Sequence, residues 1–75
     1  MDISLARTFL MVAETGSFIE AARKLNVTQS TVSARIKGLE EQLGRPLFER
    51  SKAGAELTGA GQQFQKHALA LVRVW

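Results

Sequence analysis

Cysteine is missing from this 75-residue sequence, and proline and histidine occur once each. Without cysteine the chain forms no disulfide and no thiolate metal site, and a single histidine, His67, does not hold a metal ion by itself. No apolar run approaches the roughly 20 residues of a membrane-spanning helix, and the first residues lack the basic-then-apolar pattern of a secretion signal. These absences predict a cytoplasmic protein without metal, cofactor or membrane contact.

The features of an enzyme active site are also missing. We find no paired carboxylates and no cofactor-binding loop, and a chain of this size buries only about 60% of its unfolded surface, which leaves little room for a substrate pocket. Ser17, Ser30 and Ser33 have no histidine placed to activate them as nucleophiles. Glu40 is better explained by a structural hydrogen bond or ion pair than by catalysis. We therefore expect one small domain that is not an enzyme.

Positive charge is concentrated in the middle of the chain. The formal charge of the whole sequence is +3, but residues 23–52 carry seven basic and three acidic side chains, whereas residues 1–22 carry one basic and three acidic ones. A cationic surface of this kind attracts the phosphates of nucleic acid. A solvated basic face without any ligand explains the same distribution, so charge alone leaves both interpretations open.

Two helices are predicted in the first part of the chain. Apolar side chains recur at helical spacing over residues 3–15, where Asp2 can cap the start and Gly16 can end the helix in a left-handed turn. A second helix follows at once. Ser17 and Glu20 have the spacing of a capping box, in which each side chain bonds the backbone amide of the other residue.

A third helix begins after a tight break in the chain. Asn26 ends the second helix, because asparagine tolerates the left-handed conformation, and Thr28 caps a third helix. The inward stripe of this helix consists of apolar residues at intervals of four, three and four, namely Val32, Ile36, Leu39 and Leu43. The two helices give residues 18–37 the spacing of a helix-turn-helix, whose second helix presents its N-terminal end to base pairs.

The helical pattern stops at the proline, and two short strands follow. Residues 47–50 and 55–57 flank residues 51–54, where a glycine allows a tight bend, so this part of the chain predicts a β-hairpin. The hairpin, within residues 46–57, is the wing of a winged helix-turn-helix domain over residues 1–58. The predicted fold class is mainly α, with three helices and a short β-hairpin wing followed by a linker helix.

The linker helix is predicted over residues 59–75, with Thr58 as its cap. Apolar residues recur along it at intervals of four, three and four, namely Phe64, Ala68, Leu71 and Trp75. This is the spacing of a seam between two helices. It predicts that two copies of the chain form a homodimer through residues 59–75.

A longer pattern carries a family resemblance. The sequence contains AA..L..TQS.VS..I..LE..LG..LF.R from Ala21, followed by LT.AG from Leu57. On these residues the chain resembles the N-terminal DNA-binding domain of LysR-type bacterial transcription regulators. The resemblance implies sequence-specific binding of double-stranded DNA by a dimer on an interrupted palindrome, with the recognition helix in the major groove and the wing near the minor groove.

The resemblance also has consequences for the extent of the protein. Whole members of the family continue beyond the linker helix into a two-lobed effector-binding domain and form higher oligomers. That domain is absent from this sequence, so we expect a truncated regulator. A natural stand-alone short protein is the alternative.

We expect DNA contacts from the third helix and the wing, some of them at positions that match the family's contacts. The residues concerned are Thr28, Gln29, Ser30, Thr31, Ser33, Arg35, Lys37, Arg50 and Lys52. Gln29 can pair bidentately with adenine, unless it is simply a solvated surface glutamine, and Ser33 lies one turn further on the same face. Ser30 stands where the family often has proline, and the methyl group of Thr31 is suited to a thymine methyl.

Two positions depart from the family pattern. The family often has arginine directly after the serine, but this chain has Ala34 and then Arg35. We expect Arg35 to contact a base or phosphate, with a surface ion pair as the alternative. The family's wing commonly carries an arginine at position 53, where this chain has Ala53. Lys52 is the expected substitute, although an ammonium reads a narrow groove less well than a guanidinium.

The remaining cations and the function each have two interpretations. Lys37 faces a phosphate or solvent, and Arg50 contacts a phosphate or forms a structural ion pair.

A winged-helix module that binds another protein instead of DNA is the main alternative function. The cations Arg35, Lys37 and Lys52 alongside Gln29 argue against it.

Overall fold

The computed structural model describes residues 2–74, and the burial of side chains as far as Arg73. Its elements in chain order are α1 (Ile3–Thr15), α2 (Phe18–Leu25), α3 (Gln29–Leu43), β1 (Phe48–Ser51), β2 (Gly54–Leu57) and α4 (Gly59–Val74). The two strands pair in antiparallel fashion, with Phe48 opposite Leu57. The predicted winged helix-turn-helix fold is therefore confirmed. Within residues 2–74, no helix is both long enough and apolar enough to cross a membrane.

Side-chain caps start the helices where the sequence predicts. Asp2 Oδ1 accepts the Ser4 amide at 2.9 Å at the start of α1, and Gly16 ends that helix in the left-handed conformation. Thr28 Oγ1 accepts the Thr31 amide at 3.1 Å at the start of α3. Each bond satisfies one of the backbone amides that a helix leaves free in its first turn. The other two predicted caps are also present, at Ser17 and Thr58.

The start of α2 differs from the prediction in one bond. Ser17 Oγ accepts the Glu20 amide at 3.1 Å, but the Glu20 carboxylate binds Arg23 at 2.9 Å rather than returning to the Ser17 amide. That amide donates to Thr15 Oγ1 at 3.3 Å. Because only two residues separate α1 from α2, the hydroxyl of Thr15 is already beside the Ser17 amide. The predicted capping box is therefore only half formed.

Phenylalanine rings form the centre of the core. The centroid of the Phe9 ring lies 5.2 Å from that of Phe48 and 5.0 Å from that of Phe64. The Phe18 ring packs edge-on against Phe48 at 5.9 Å. These pairs join α1, α2, β1 and α4 in one cluster. Small buried residues allow the surrounding elements to approach closely, namely Ala6, Ala21, Ala22, Ala55 and Ala68.

The inward stripe of α3 is shorter than predicted. Val32, Ile36 and Leu39 are buried, but Leu43 is 42% exposed. Leu43 is the last residue of α3, one turn beyond Leu39, and the helix has passed the core by that point. The prediction that Leu43 is buried is therefore wrong.

β1 begins one residue later than predicted, because the Leu47 amide is bonded outside the hairpin. This amide donates to Glu40 Oε2 at 2.7 Å, whereas the Leu47 carbonyl accepts the Thr58 amide at 3.0 Å in register with the strands. A second backbone bond attaches the hairpin to the helices, since the Ala55 amide donates to the Gly16 carbonyl at 2.9 Å. The wing is thus held against α3 at its base and against the turn between α1 and α2.

The apolar stripe of α4 packs within the chain itself. Phe64 and Ala68 are buried in its own core, where α4 lies against α1, and Leu71 packs on the edge of that core. The prediction that these side chains form a seam with a second copy is wrong for Phe64 and Ala68. In a domain this small, an amphipathic helix is needed first to complete the domain's own core. Trp75, the last residue of the predicted seam, lies outside the described residues.

Candidate nucleic-acid interface

The N-terminal turn of α3 lies at the surface. Thr28, Gln29 and Ser30 are exposed, and Thr31 is half-buried. The Thr28 and Thr31 hydroxyl oxygens lie 2.9 Å apart, in addition to the cap bond at the Thr31 amide. The first amides of an α-helix have no acceptor within the helix, and the helix dipole makes this end positive. The exposed turn therefore favours phosphate oxygens and other acceptors.

Three of the predicted site residues lie on one face of α3. Gln29, Ser33 and Lys37 follow one another at intervals of four residues, so their side chains lie one above the other along the helix. Gln29 and Lys37 are exposed, and Ser33 is half-buried between them. The face thus presents an amide, a hydroxyl and an ammonium in sequence along about two turns.

Two shallow grooves separate this face from the wing. The first has a volume of about 360 Å³ and lies between Gln29 and residues 50–54 of the hairpin. The second has a volume of about 290 Å³ and contains Ser33 and Lys37. Arg50 lines both grooves, and Lys52 lines the first. The wing therefore supplies two cations beside the face that carries Gln29 and Ser33.

Arg50 connects the wing to α3. Its Nη2 donates to Ser33 Oγ at 3.1 Å, and its Cζ lies 3.6 Å from the centroid of the Phe18 ring. The structural ion pair that the sequence left open for Arg50 is not formed. Within residues 2–74 the structure has one side-chain ion pair, between Glu20 and Arg23. A hydroxyl and an aromatic face hold the guanidinium instead.

Arg35 lies on a different side of α3. Two residues correspond to about 200° around a helix, so Arg35 is nearly opposite Ser33. Its Nη1 donates to Oγ1 of the buried Thr8 at 3.2 Å, which holds the guanidinium against α1. Hydrogen bonds from Ser4 lower the pKa of Asp2, and the positive charge of Arg35 contributes less to the same shift. The structure therefore does not bring Arg35 together with Gln29 and Ser33.

Three residues near this surface were described by the sequence only in part or not at all. Glu40 Oε2 accepts the amides of Leu47 at 2.7 Å and Phe48 at 3.4 Å, which confirms a structural hydrogen bond. Phe18 is buried, and one face of its ring also supports Arg50. Ile19 is 58% exposed beside the first groove. The sequence signal that could have drawn attention to Ile19 was an apolar side chain on the exposed side of α2.

The fold and this surface define a winged helix-turn-helix domain, and comparison with known proteins identifies its family. The model of the bacterial regulatory helix-turn-helix proteins of the lysR family matches residues 3–62. The chain belongs to this family. The HTH-type transcriptional regulator HdfR of Escherichia coli O139:H28 is 45% identical over 75 residues, which is all of this chain and 27% of HdfR. The chain thus spans about a quarter of the length of the curated relatives it matches.

Solved structures with the same fold include complexes with DNA. The CbnR DNA-binding domain in complex with DNA has a TM-score of 0.94 and 36% identity, covering 99% of this chain and 85% of that one. The BenM DNA-binding domain in complex with catB site 1 DNA has a TM-score of 0.91 and 37% identity, covering 97% and 82%. This chain is therefore similar in both sequence and fold to domains solved on DNA.

Proposed function

We propose that this chain is the DNA-binding domain of a bacterial transcription regulator and binds double-stranded DNA in a sequence-specific manner. The observation that carries the proposal is the exposed face of Gln29, Ser33 and Lys37 on a capped helix, with Arg50 and Lys52 of the wing beside it. The DNA complexes of the CbnR and BenM domains support it. As a regulator of bacterial genes, the protein acts in the cytoplasm.

The recognition helix of the proposed complex is α3. The major groove is about 12 Å wide and accepts an α-helix, whose N-terminal residues then face the base edges. Gln29 is suited to adenine, which offers a donor and an acceptor side by side. Lys37 and the exposed amides of the first turn lie toward the phosphates. Lys52, at the turn of the wing, extends toward the adjacent minor groove or its phosphates.

A homodimer is the proposed binding form, with a seam different from the one predicted by sequence. Leu69 is 47% exposed on α4. It is available to a second copy, whereas Phe64 and Ala68 are buried in the core and Val72 packs against it. A two-fold dimer reads a palindromic site, with one α3 in each half-site.

Selection of bound duplexes from a random DNA pool, followed by binding titrations, tests the proposed function. Wild-type protein should prefer the selected duplex over a scrambled one, and its affinity should fall steeply as salt increases, because phosphate contacts release counterions. Equal affinity for selected and scrambled duplexes at every salt concentration would contradict sequence-specific binding. Failure to bind any duplex at low salt would favour a protein-interaction module instead.

A pair of glutamine substitutions on α3 locates the recognition face. Gln29→Ala should reduce the preference for the selected duplex by 1–3 kcal/mol, the usual worth of a bidentate base contact, with little change in binding to scrambled DNA. Gln42→Ala is the matched control, because Gln42 is exposed near the other end of the same helix. An equal loss on both duplexes for Gln29→Ala would exclude a base contact at Gln29.

A charge placed on α4 tests the dimer. Leu69→Glu should convert two-site binding on a palindromic duplex into independent binding to half-sites, because a charge in an apolar seam is unfavourable. Leu43→Glu is the control, since Leu43 is similarly exposed but lies at the end of α3. Sedimentation of the protein–DNA complexes gives the stoichiometry. Unchanged two-site binding by the Leu69 variant would exclude this seam.

A further inference from the structure

We propose that Arg50 is a positioning residue that fixes the Ser33 hydroxyl as a hydrogen-bond donor toward bound DNA, so that Ser33 selects a base edge with an acceptor. The inference rests on the proposed function and adds to it the chemical class of base edge that Ser33 recognises. It comes from the contact between Arg50 Nη2 and Ser33 Oγ, which measures 3.1 Å.

The chemistry of the two groups determines the direction of this bond. A serine hydroxyl has one hydrogen to donate and two lone pairs to accept with, whereas a guanidinium has five donors and no acceptor. Arginine also stays protonated at any ordinary pH. Ser33 therefore accepts from Arg50, and its own hydrogen is directed elsewhere.

The hydrogen of Ser33 is not used within the described part of the chain. Thr8 and Thr15 also lie on helices, and each donates its hydroxyl hydrogen to the carbonyl four residues earlier, at 2.8 Å. Ser33 has no such bond to the carbonyl of Gln29 within residues 2–74, and its one side-chain bond there is the one from Arg50. Its hydroxyl hydrogen is thus available to a group that approaches α3 from outside.

The position of Arg50 is itself fixed by the fold. Its guanidinium carbon lies 3.6 Å from the centroid of the Phe18 ring, and Phe18 packs edge-on against Phe48 in the core. The backbone of Arg50 is paired with Ala55 in the hairpin. The aromatic face attracts the cation and holds it beside Ser33. Arg50 therefore approaches Ser33 from one fixed direction.

The consequence is a bias in what Ser33 reads. A serine hydroxyl alone discriminates poorly between base edges, because it forms hydrogen bonds with both donors and acceptors. With the guanidinium of Arg50 beside it, the Ser33 oxygen is disfavoured as an acceptor for a second donor, because the positive charge of Arg50 repels that donor's hydrogen, while the outward O–H attracts acceptors. In the major groove this favours N7 and O6 of guanine, N7 of adenine and O4 of thymine. It disfavours the amino group of cytosine.

Binding to a panel of mutated duplexes tests the inference. Each base pair of the selected half-site is replaced in turn by the other three, and Ser33→Ala identifies the base pair that Ser33 reads. Arg50→Gln should reduce the discrimination against cytosine at that base pair about fivefold, which corresponds to the loss of one net hydrogen bond. The reason is that glutamine offers an acceptor as well as donors and carries no charge, so the Ser33 hydroxyl is no longer restricted to donating toward the DNA.

A matched substitution separates this effect from the loss of charge. Arg45→Gln removes the same charge from an exposed arginine that follows α3. It should weaken binding to all duplexes to a similar extent, without a change at any one base pair. The double variant Ser33→Ala/Arg50→Gln should lose no more discrimination at this base pair than Ser33→Ala alone, because both substitutions act on one contact.

Several outcomes would overturn the inference. One is an equal loss on all duplexes for Arg50→Gln, as for Arg45→Gln, and another is an additive loss in the double variant. Arg50→Lys keeps the charge and a donor, so it should retain the discrimination to within about twofold. If circular dichroism shows that Arg50→Gln is unfolded, the test relies on Arg50→Lys. Loss of discrimination in the folded lysine variant would contradict the inference. Wild-type protein that binds all duplexes equally would instead contradict the proposed function.

Discussion

The two ends of α3 are joined to the wing by different kinds of contact. Near its C-terminal end, the Glu40 carboxylate accepts the backbone amides of Leu47 and Phe48 beneath the hairpin. Near its N-terminal end, Ser33 accepts from the exposed side chain of Arg50. The first contact satisfies backbone groups that the core covers, and the second lies where a ligand can reach it. One helix thus carries a covered contact near one end and an accessible contact near the other, and the proposed recognition concerns only the second.

The largest effect is expected where both contacts are lost together. Gly54 begins β2 at φ 134°, and a Cβ there would overlap the Gly16 carbonyl oxygen, which accepts the Ala55 amide. Gly54→Ala should therefore destabilise the fold by about 3 kcal/mol, through backbone strain and displacement of the wing. Thermal unfolding measures the loss, and DNA binding should fall with it.

A second glycine provides the control for Gly54. Gly38 lies in the middle of α3, and beyond its chain neighbours and the nearby backbone of the helix itself no atom of the described chain lies within 4 Å of the position a Cβ would take. Gly38→Ala should stabilise the domain by about 0.5–1 kcal/mol, because glycine inside a helix costs conformational entropy. A Gly54→Ala variant with unchanged stability would show that the wing does not depend on this close approach.

The next effect concerns the C-terminal contact alone. Glu40→Ala should reduce the free energy of unfolding by about 2 kcal/mol, because it leaves the buried amide of Leu47 without an acceptor. The folded variant should discriminate among duplexes as the wild type does. Denaturant unfolding measures stability, and Glu41→Ala is the control at an exposed carboxylate on the same helix. Equal losses for the two variants would mean that the Glu40 bond adds nothing to stability.

A smaller effect is expected at the tip of the wing. Lys52 is exposed and should contact phosphate without contributing to the fold. Lys52→Ala should leave the unfolding temperature unchanged and reduce the slope of log affinity against log salt by about 1. Lys52→Arg should retain the slope. Lys66→Ala, at an exposed position on α4, should change neither quantity, and an equal slope change there would indicate that only net charge matters.

Local sequence rules predicted most of the fold, because the decisive residues act on their immediate neighbours. Gly16 and Asn26 end their helices at positive φ, as the sequence predicts, and Gly44 ends α3 in the same conformation. The same rules placed Gln29 and Ser33 on one face, since the helical period alone determines this.

Contacts between distant residues could not be predicted in the same way. The bonds of Arg35 to Thr8 and of Arg50 to Ser33 join residues 27 and 17 positions apart. Their partners depend on how the elements pack, and a long side chain has many choices of partner. The stripe on α4 illustrates the same point, because its spacing suits a second copy as well as α1. Only the packed structure assigns Phe64 to the core.

The smallest effect is expected at the start of α1, which Arg35 approaches from the side of α3 away from the wing. The hydrogen bonds from Ser4, with a smaller contribution from Arg35, lower the pKa of Asp2 in the folded chain. Ionised Asp2 therefore stabilises the fold at neutral pH, and this contribution disappears as pH falls below the ordinary pKa of aspartate, about 4, and through the lowered pKa of Asp2.

Asp2→Asn keeps a capping side chain but does not titrate. The variant should be slightly less stable than wild type at pH 7 and equal to it near pH 2, as measured by urea unfolding across that range. A difference that persists at low pH would mean that Asp2 acts through its shape rather than its charge.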